Sequence, residues 1–294
     1  MENRINEANF FWSGELSFYE IANFRSFKHS GFKVNIWTYS EENKTIEQLN
    51  EFNLMDANRI IDISMLNKFT QGNQKKNMSS FSNIFRFELL KKYGGWWFDA
   101  DCICLKNVSD FQSLVKDKEF VVGREYEDYT GSSVLFFNNI NILDIIIKEA
   151  WARIEEKNYN FYWGEIGPNL ISEIFLREDL MKKTLNEDYF YKIPADKFYL
   201  LFENKSNQLD IDNLIKDSYV CHYWNEMVNR ALIRKDKFPP KNSYMFNHLK
   251  TYNQDTKNYK VYNKLFYIRF ISSLDIFLRL IYRLKVLFNN FQKK

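Results

Sequence analysis

The first forty residues follow the order strand, helix, strand, and this order constrains the fold more than any other feature of the sequence. Residues 9–12 and 33–39 have the apolar character of buried strands. Between them, residues 16–29 carry apolar side chains at helical spacing, and Gly31 ends the helix. Two strands joined by a crossover helix form a βαβ unit, which binds ligands at the carboxyl ends of its strands. The sequence therefore predicts an α/β fold, a sheet with parallel strands flanked by helices.

The composition excludes several classes of protein. With 294 residues, 45% hydrophobic and 27% charged, and only 9 Gly and 4 Pro, the chain is neither disordered nor collagen-like. The net charge of +3 is too small to indicate nucleic-acid binding. Cys102, Cys104 and Cys221 have no C-x-x-C spacing, so we predict neither a zinc knuckle nor a disulfide framework. We expect no secretion signal, because no short apolar run follows basic residues near residue 1. We also expect no membrane span, because no apolar stretch reaches 18 residues.

One aromatic segment is predicted to carry the chemistry. Ser79 or Ser80 can cap a helix whose apolar stripe ends before Gly94 and Gly95, and a strand begins at Trp96. On an extended segment alternate side chains share a face, so we expect Asp99 and Asp101 to point together. Further along, we predict strands at 119–123, 133–137, 189–193 and 219–222, helices at 142–152 and 164–175, a short element at 54–63, and a loop at 70–77.

The Asp-x-Asp triplet is the candidate metal site. Two carboxylates at i and i+2 offer the hard oxygen ligands that suit Mg²⁺ or Mn²⁺, with diphosphate oxygens as further ligands. Such a triplet occurs in many chains as a solvated loop, so its sequence context decides what it means.

That context resembles a known family. The run from Phe81 to Arg86, followed by Tyr93-Gly-Gly-Trp-Trp-Phe-Asp-Ala-Asp101, resembles glycosyltransferase family 32, the DXD-containing sugar transferases. Residues 10–14 (Phe-Phe-Trp-Ser-Gly), 163–168 (Trp-Gly-Glu-Ile-Gly-Pro) and 221–226 (Cys-His-Tyr-Trp-Asn-Glu) resemble further motifs of that family, in the same order. The resemblance extends over about residues 5–250. It implies a GT-A fold, a Rossmann-like nucleotide-binding mixed sheet, with retaining transfer from a nucleotide sugar.

The resemblance also implies roles for single residues at the metal. Asp101 would bind Mn²⁺ or Mg²⁺ directly, Asp99 would share the metal through water and touch the donor, and His222 would be the third ligand. The alternative for His222 is a structural histidine at a strand end.

Other residues would bind the donor and the acceptor. Asn83 and Arg86 would hold sugar hydroxyls or phosphate, although many relatives have Asp where this chain has Asn83. The remaining donor-binding candidates are Phe11, Trp12, Trp97, Trp224 and Asn225, and Glu165 is the candidate for the acceptor. The alternatives are an exposed Arg86 paired with a surface acid and tryptophans that only fill the core.

The last thirty-one residues form a basic tail. Residues 264–294 carry seven basic side chains and one acid, which leaves a net charge of −3 on the rest of the chain. Large apolar residues recur there at helical spacing, which predicts an amphipathic helix that binds an anionic membrane surface. The alternatives are a helix packed on the body or a dimer contact. We predict a catalytic domain at 1–255, with a donor half to about 110 and an acceptor half beyond it, and a tail at 256–294.

These patterns predict a metal-dependent retaining glycosyltransferase. It would transfer a hexose or N-acetylhexosamine from a UDP-sugar to a glycan acceptor of a bacterial capsule, O-antigen or lipooligosaccharide. The candidate acceptors include lipid-linked glycans. It would act at the cytoplasmic face of the cell membrane. The alternatives are a toxin-like protein glycosyltransferase, an Mg²⁺-dependent aspartyl phosphohydrolase and a non-catalytic scaffold that binds nucleotide sugars. Such phosphohydrolases carry their first Asp after an aliphatic strand, and the Gly-Gly-Trp-Trp run that precedes Asp99 here disfavours that class.

Overall fold

The computed structural model describes residues 4–39, 49–71, 75–76, 78–162, 164–203, 210–253 and 260–261. The strands are β1 (Glu7–Phe11), β2 (Lys33–Thr38), β3 (Asn53–Asp56), β4 (Thr70–Gln71), β5 (Lys75–Lys76), β6 (Trp96–Phe98), β7 (Cys102–Cys104), β8 (Phe120–Tyr126), β9 (Tyr129–Phe137) and β10 (Val220–His222). The helices are α1 (Phe18–His29), α2 (Ile63–Leu66), α3 (Met78–Tyr93), α4 (Val108–Val115), α5 (Ile140–Glu156), α6 (Pro168–Arg177), α7 (Ile211–Leu214), α8 (Asn225–Arg230) and α9 (Tyr244–Tyr252).

The main sheet has the strand order β3-β2-β1-β6-β9-β8. The pairs β2–β3, β1–β2 and β1–β6 are parallel, and β9 runs antiparallel to both β6 and β8. The predicted βαβ unit is thus confirmed as β1, α1 and β2. Since β1 and β6 are parallel neighbours, the residues that follow them lie at the same edge of the sheet.

A buried asparagine fixes the centre of the sheet. Asn9 in β1 is 1% exposed. Its Oδ1 accepts hydrogen bonds from Asn35 Nδ2 at 3.1 Å and Trp37 Nε1 at 3.0 Å, and its Nδ2 donates to the Trp96 carbonyl at 3.0 Å. Because every polar atom of the side chain has a partner, its burial costs little and ties β1 to both neighbouring strands.

Helix α3 leads into strand β6, at the end of which the Asp-x-Asp triplet lies. It begins at Met78, so Ser79 and Ser80 lie in its first turn and the predicted serine cap is wrong. Gly94 and Gly95 then take positive φ angles of 66° and 80°, which end the helix as predicted. A Cβ on Gly95 would lie 2.9 Å from Asn9 Nδ2, so the strand β6 can approach β1 only with glycine there.

Two short segments differ from the predictions. The predicted loop at 70–77 contains an antiparallel pair, β4 with β5. The predicted strand at 189–193 is instead irregular, held by hydrogen bonds from Tyr191 N to the Glu187 carbonyl and from Tyr219 N to the Tyr189 carbonyl. Its aromatic residues pack inward, but the segment forms no ladder of strand hydrogen bonds. The apolar pattern that predicted a strand there reflects burial alone.

The chain divides into two compact units. The first contains Met1–Leu16, Asn23–Lys192 and Asp217–His222, which includes the sheet and its aromatic core; the second contains Ser17–Ala22, Ile193–Lys216 and Tyr223–Lys294. In the second unit, the Glu20 carboxylate is buried and accepts hydrogen bonds from Ser17 and Lys235.

The predicted donor and acceptor halves, and a tail boundary at 256, stay predictions, and residues 264–294 lie outside the described ranges. None of the helices in those ranges has the length and apolar character that a bilayer crossing requires.

Candidate active site

The two aspartates lie in a tight turn at the carboxyl end of β6. Asp99 N donates to the Ser133 carbonyl at 2.8 Å, and Cys102 N donates back to the Asp99 carbonyl at 3.0 Å, which closes the turn. The strand therefore ends at Phe98, and the prediction that an extended segment continues to Asp101 is wrong. The turn nevertheless keeps both carboxylates at the sheet edge that parallel strands use for ligands.

The side chain of Asp99 is held by one of its two oxygens. Its Oδ1 accepts a hydrogen bond from Trp97 Nε1 at 2.8 Å and lies 3.2 Å from Arg86 Nη2. No described residue bonds to Oδ2, and the side chain is 26% exposed. Burial raises the pKa of Asp99 and the Asp101 charge adds to this, whereas the Arg86 guanidinium acts in the opposite direction. Asp99 thus presents one oxygen to a ligand.

The guanidinium of Arg86 is buried behind Asp99. Its Nε donates to the Ser82 carbonyl at 3.1 Å, its Nη1 to the carbonyl and hydroxyl of Ser132, and its Nη2 to the Ser82 hydroxyl at 3.2 Å and to Asp99. It also lies 4.9 Å from the centroid of the Trp97 ring. All five N–H groups have protein partners. Arg86 is therefore not the exposed arginine of the alternative interpretation.

His222 reaches the turn from β10. That strand pairs antiparallel with β7, which places His222 opposite Cys102. Its Nε2 lies 3.0 Å from Asp101 Oδ1 and 3.3 Å from Ser133 Oγ. Burial by itself lowers the pKa of His222, but the carboxylates of Asp101, Asp99 and Glu125 together outweigh it, so that the pKa is raised. The pairing of β7 with β10 thus joins the Asp-x-Asp turn to a residue 121 positions later in the chain.

The geometry brings together one possible metal-binding group within the described ranges. Ligand atoms of Asp101, Cys102 and His222 lie within 4.8 Å of one another. A carboxylate oxygen and an imidazole nitrogen suit Mn²⁺, and a diphosphate can complete the shell. Burial raises the pKa of the Cys102 thiol well above its usual value, so this sulfur stays protonated and is a poor ligand. The residues therefore fit a divalent cation held by Asp101 and His222.

Comparisons with known proteins give two family matches. Residues 18–121 match the family described as "Glycosyltransferase sugar-binding region containing DXD motif", and residues 147–245 match the "Alpha 1,4-glycosyltransferase conserved region". The first of these is the DXD-containing family that the sequence resembles. The predicted family is thus confirmed, and with it the GT-A type of α/β fold that the mixed sheet shows.

Among the proteins similar to this chain are the lactosylceramide 4-alpha-galactosyltransferases. The protein from Rattus norvegicus is 27% identical over 52% of this chain and 44% of its own length, and that from Mus musculus is 27% identical over 49% and 40%. The match thus spans less than half of either relative. Among solved structures, PaToxG glycosyltransferase is 15% identical with a TM-score of 0.43, covering 73% of this chain and 88% of its own. Glycosyltransferase GlyE of Streptococcus pneumoniae is 15% identical with a TM-score of 0.43, covering 80% and 65%.

The aromatic candidates for donor binding lie in different surroundings. Trp12 follows β1 at the same sheet edge as Asp99 and is half-buried, and its backbone N–H donates to the Trp37 carbonyl at 3.0 Å. Phe11 and Trp97 are buried in the core, 7% and 1% exposed. Trp224 and Asn225 belong to the second unit, where Trp224 Nε1 donates to the Ile193 carbonyl at 2.7 Å. Their roles at the nucleotide stay predictions.

The two remaining candidates are Asn83, in α3, and Glu165, and both lie near the start of α6. Asn83 is buried, and a Cβ on Gly167 would lie 2.4 Å from its Nδ2, so its carboxamide lies flat on that glycine. Glu165 accepts a hydrogen bond from Tyr162 N at 3.1 Å and pairs with Lys157, so its carboxylate is already engaged. Trp163 lies outside the described residues. The sugar and acceptor roles of Asn83 and Glu165 stay predictions.

A tyrosine that the sequence patterns did not indicate, Tyr191, lies beside the metal-binding group. The ring of Tyr191 lies on the backbone of Gly131, where a Cβ would be 2.2 Å away, and its edge meets the His222 ring at a centroid distance of 6.0 Å. Its hydroxyl accepts a hydrogen bond from Ser133 N at 3.2 Å. A glycine inside a strand often marks a close approach of this kind, so Gly131 was the available signal.

A glutamate in β8, Glu125, was likewise not indicated by the sequence patterns. The carboxylate of Glu125 is half-buried, and burial raises its pKa to about 7, although the charge of His222 lowers it somewhat. Its charge acts in turn on Tyr129, Tyr191 and His222. A single acid in a strand is ordinary in a sequence, so no pattern pointed to it.

Proposed function

We propose that this chain is a retaining, metal-dependent glycosyltransferase that transfers a hexose or N-acetylhexosamine from a UDP-sugar to a glycan acceptor. The observation that carries the proposal is the convergence of His222 from β10 with the turn that contains Asp99 and Asp101, in a chain that matches the DXD-containing family. Retention is favoured because the matched relatives form alpha linkages, and nucleotide hexoses of this kind are themselves alpha-linked.

Different residues would bind the metal and the sugar of the donor. Asp101 and His222 would hold Mn²⁺ or Mg²⁺, which when bound supplies a Lewis acid for the departing diphosphate. Asp99 would accept hydrogen bonds from donor hydroxyls through its open Oδ2. The carboxylates also place negative charge beside the sugar, where an oxocarbenium-like transition state develops positive charge.

A panel of nucleotide sugars tests the proposal. The purified chain is incubated with Mn²⁺ and each of several UDP- and GDP-linked hexoses and N-acetylhexosamines, and released nucleotide is measured. We expect turnover of at least one UDP-sugar, lost on chelation of the metal and restored by Mn²⁺. If no donor is bound or turned over, the proposed function is wrong.

We further propose that the acceptor is a bacterial surface glycan and that the basic tail brings the enzyme to the cytoplasmic membrane face. The support is the charge of the sequence, in which Arg279, Arg283 and Lys285 interleave with large apolar residues. A surface that is both basic and apolar binds anionic headgroups, at about 1 kcal/mol for each basic residue near the lipid.

Removal of the tail after Asn263 is expected to abolish co-sedimentation with liposomes that contain anionic lipid. The double substitution Arg279→Glu and Arg283→Glu should weaken binding at least tenfold, because each reversal replaces attraction by repulsion. Arg177→Glu and Lys182→Glu on the body serve as the matched control. Unchanged sedimentation of the truncated chain would favour the packing or dimer interpretation.

A further inference from the structure

The carboxylate of Glu125 has no role in holding the metal or the donor, and its place in β8 is unusual. The pairing of β8 with β9 shifts register between Val122 and Arg124 and again between Arg124 and Tyr126. Glu125 therefore lies in an irregular stretch of an otherwise regular antiparallel pair. Irregularities of this kind redirect side chains and are frequent beside active sites.

This carboxylate makes no hydrogen bond or ion pair with any residue in the described ranges. Removing a carboxylate from water costs free energy, and here no hydrogen bond from the residues in those ranges offsets that cost. The predicted acceptor residue differs in this respect, since Lys157 and the Tyr162 N–H already occupy the carboxylate of Glu165. Glu125 is thus a half-buried carboxylate that is open to a hydroxyl donor.

The surroundings of Glu125 connect it to the metal-binding group. Tyr191 lies against both hairpin strands, since a Cβ on Gly123 would lie 3.1 Å from its ring and one on Gly131 would lie 2.2 Å away. Gly123 and Glu125 are two residues apart in β8, and the charge of Glu125 reaches Tyr191 and His222. Glu125 is therefore close enough to Tyr191 and His222 for its charge to act on both.

An exposed aromatic ring lies next to it. Tyr126 is 58% exposed, and its ring lies 6.1 Å from that of Tyr129, whose hydroxyl donates to Asn169 Oδ1 at 2.8 Å. A pyranose presents C–H groups that pack on an aromatic face and hydroxyls that donate to a carboxylate. Glu125 and Tyr126 offer both kinds of contact at adjacent positions.

We propose that Glu125 and Tyr126 bind the acceptor sugar, a hexopyranoside, with Glu125 accepting a hydrogen bond from one of its hydroxyls and Tyr126 packing on its ring. This inference rests on the proposed transfer function and names the acceptor side of the same site.

The test compares Glu125→Gln with Glu155→Gln, a change of an exposed glutamate on α5. Each variant is assayed with the best UDP-sugar against lactose and the methyl glycosides of galactose, glucose and N-acetylglucosamine. We expect Glu125→Gln to raise the acceptor KM about tenfold, the value of one hydrogen bond to a charged group, and to change the donor KM much less. The ratio of transfer to donor hydrolysis should fall by a similar factor. Tyr126→Ala, an exposed site whose loss does not endanger folding, should raise the acceptor KM severalfold.

The outcomes separate this inference from the function on which it rests. If the parent enzyme neither binds nor turns over a donor, the transfer function fails. If the parent hydrolyses a donor but transfers to no sugar, or if Glu125→Gln and Tyr126→Ala both keep the parental acceptor KM, the acceptor site is elsewhere. Equal rises in donor and acceptor KM for Glu125→Gln would also overturn the assignment, because they would indicate a general disturbance.

Discussion

Replacement of Asp101 by asparagine is expected to lower kcat/KM for sugar transfer about a thousandfold, the size of effect seen when a group that stabilises developing charge is removed. Asparagine keeps the shape of the side chain but carries no negative charge to hold a divalent cation. The same substitution should weaken Mn²⁺ binding, measured by calorimetry on the chain without donor. This second readout is independent of turnover.

Asp179→Asn is the matched control for this experiment. Asp179 is exposed, pairs only with Lys182 in the described structure, and has a positive φ of 53° that asparagine tolerates well. Its variant should retain parental turnover and Mn²⁺ affinity. Asp101→Asn with turnover within tenfold of the parent would show that the Asp-x-Asp turn is not the metal site.

The parts of this site that local sequence specifies were predictable. The periodicity of α3, the Gly94-Gly95 stop and the aromatic strand β6 are set by neighbours in sequence, and they locate the Asp-x-Asp turn at a sheet edge. The opening βαβ unit was predictable for the same reason, because its apolar spacing and Gly31 allow few other arrangements.

The parts set by distant partners were not predictable. The turn at Asp99 depends on the Ser133 carbonyl in β9, and the junction of Asp101 with His222 depends on the pairing of β7 with β10. The segment at 189–193 has strand-like composition but packs Tyr191 against glycines of β8 and β9 instead of joining a ladder. Propensity could not decide these cases because tertiary contacts override it.

Aromatic residues make up 18% of the sequence, and many of them pack in the core. Phe10 of β1 packs against Phe24 at 4.8 Å, Phe27 at 5.1 Å and Phe98 at 5.9 Å between ring centroids. Trp97, one of the donor-binding candidates, donates from its Nε1 to Asp99, and the Arg86 guanidinium lies over its ring. Half-buried Trp12 is therefore the better placed of the two tryptophans for a base.

The second large effect is expected at Arg86. Arg86 is 4% exposed, and its guanidinium donates hydrogen bonds to Ser82, Ser132 and Asp99. Truncation to alanine would therefore leave these buried acceptors without donors. We expect Arg86→Ala to lower the free energy of unfolding by about 3 kcal/mol, as is typical when one partner of a buried ion pair is removed. Arg177→Ala, which breaks exposed pairs with Glu149 and Glu178, should cost less than about 1 kcal/mol. Urea denaturation of both variants measures the difference.

A double-mutant cycle then distinguishes a residue that positions Asp99 from one that touches the donor. If Arg86 acts through Asp99, the losses of stability from Arg86→Met and Asp99→Asn should be strongly non-additive in the chain without ligand, because neither group keeps its role once the other is neutral. In transfer assays Arg86→Lys should lower kcat more than it raises the donor KM, since lysine keeps the charge but cannot reproduce five directed hydrogen bonds. Additive losses of stability together with a selective rise in donor KM would instead place the guanidinium on the sugar or the phosphate. In that case the five protein contacts of Arg86 would have to be exchanged for donor contacts on binding, which a saturated, buried guanidinium disfavours.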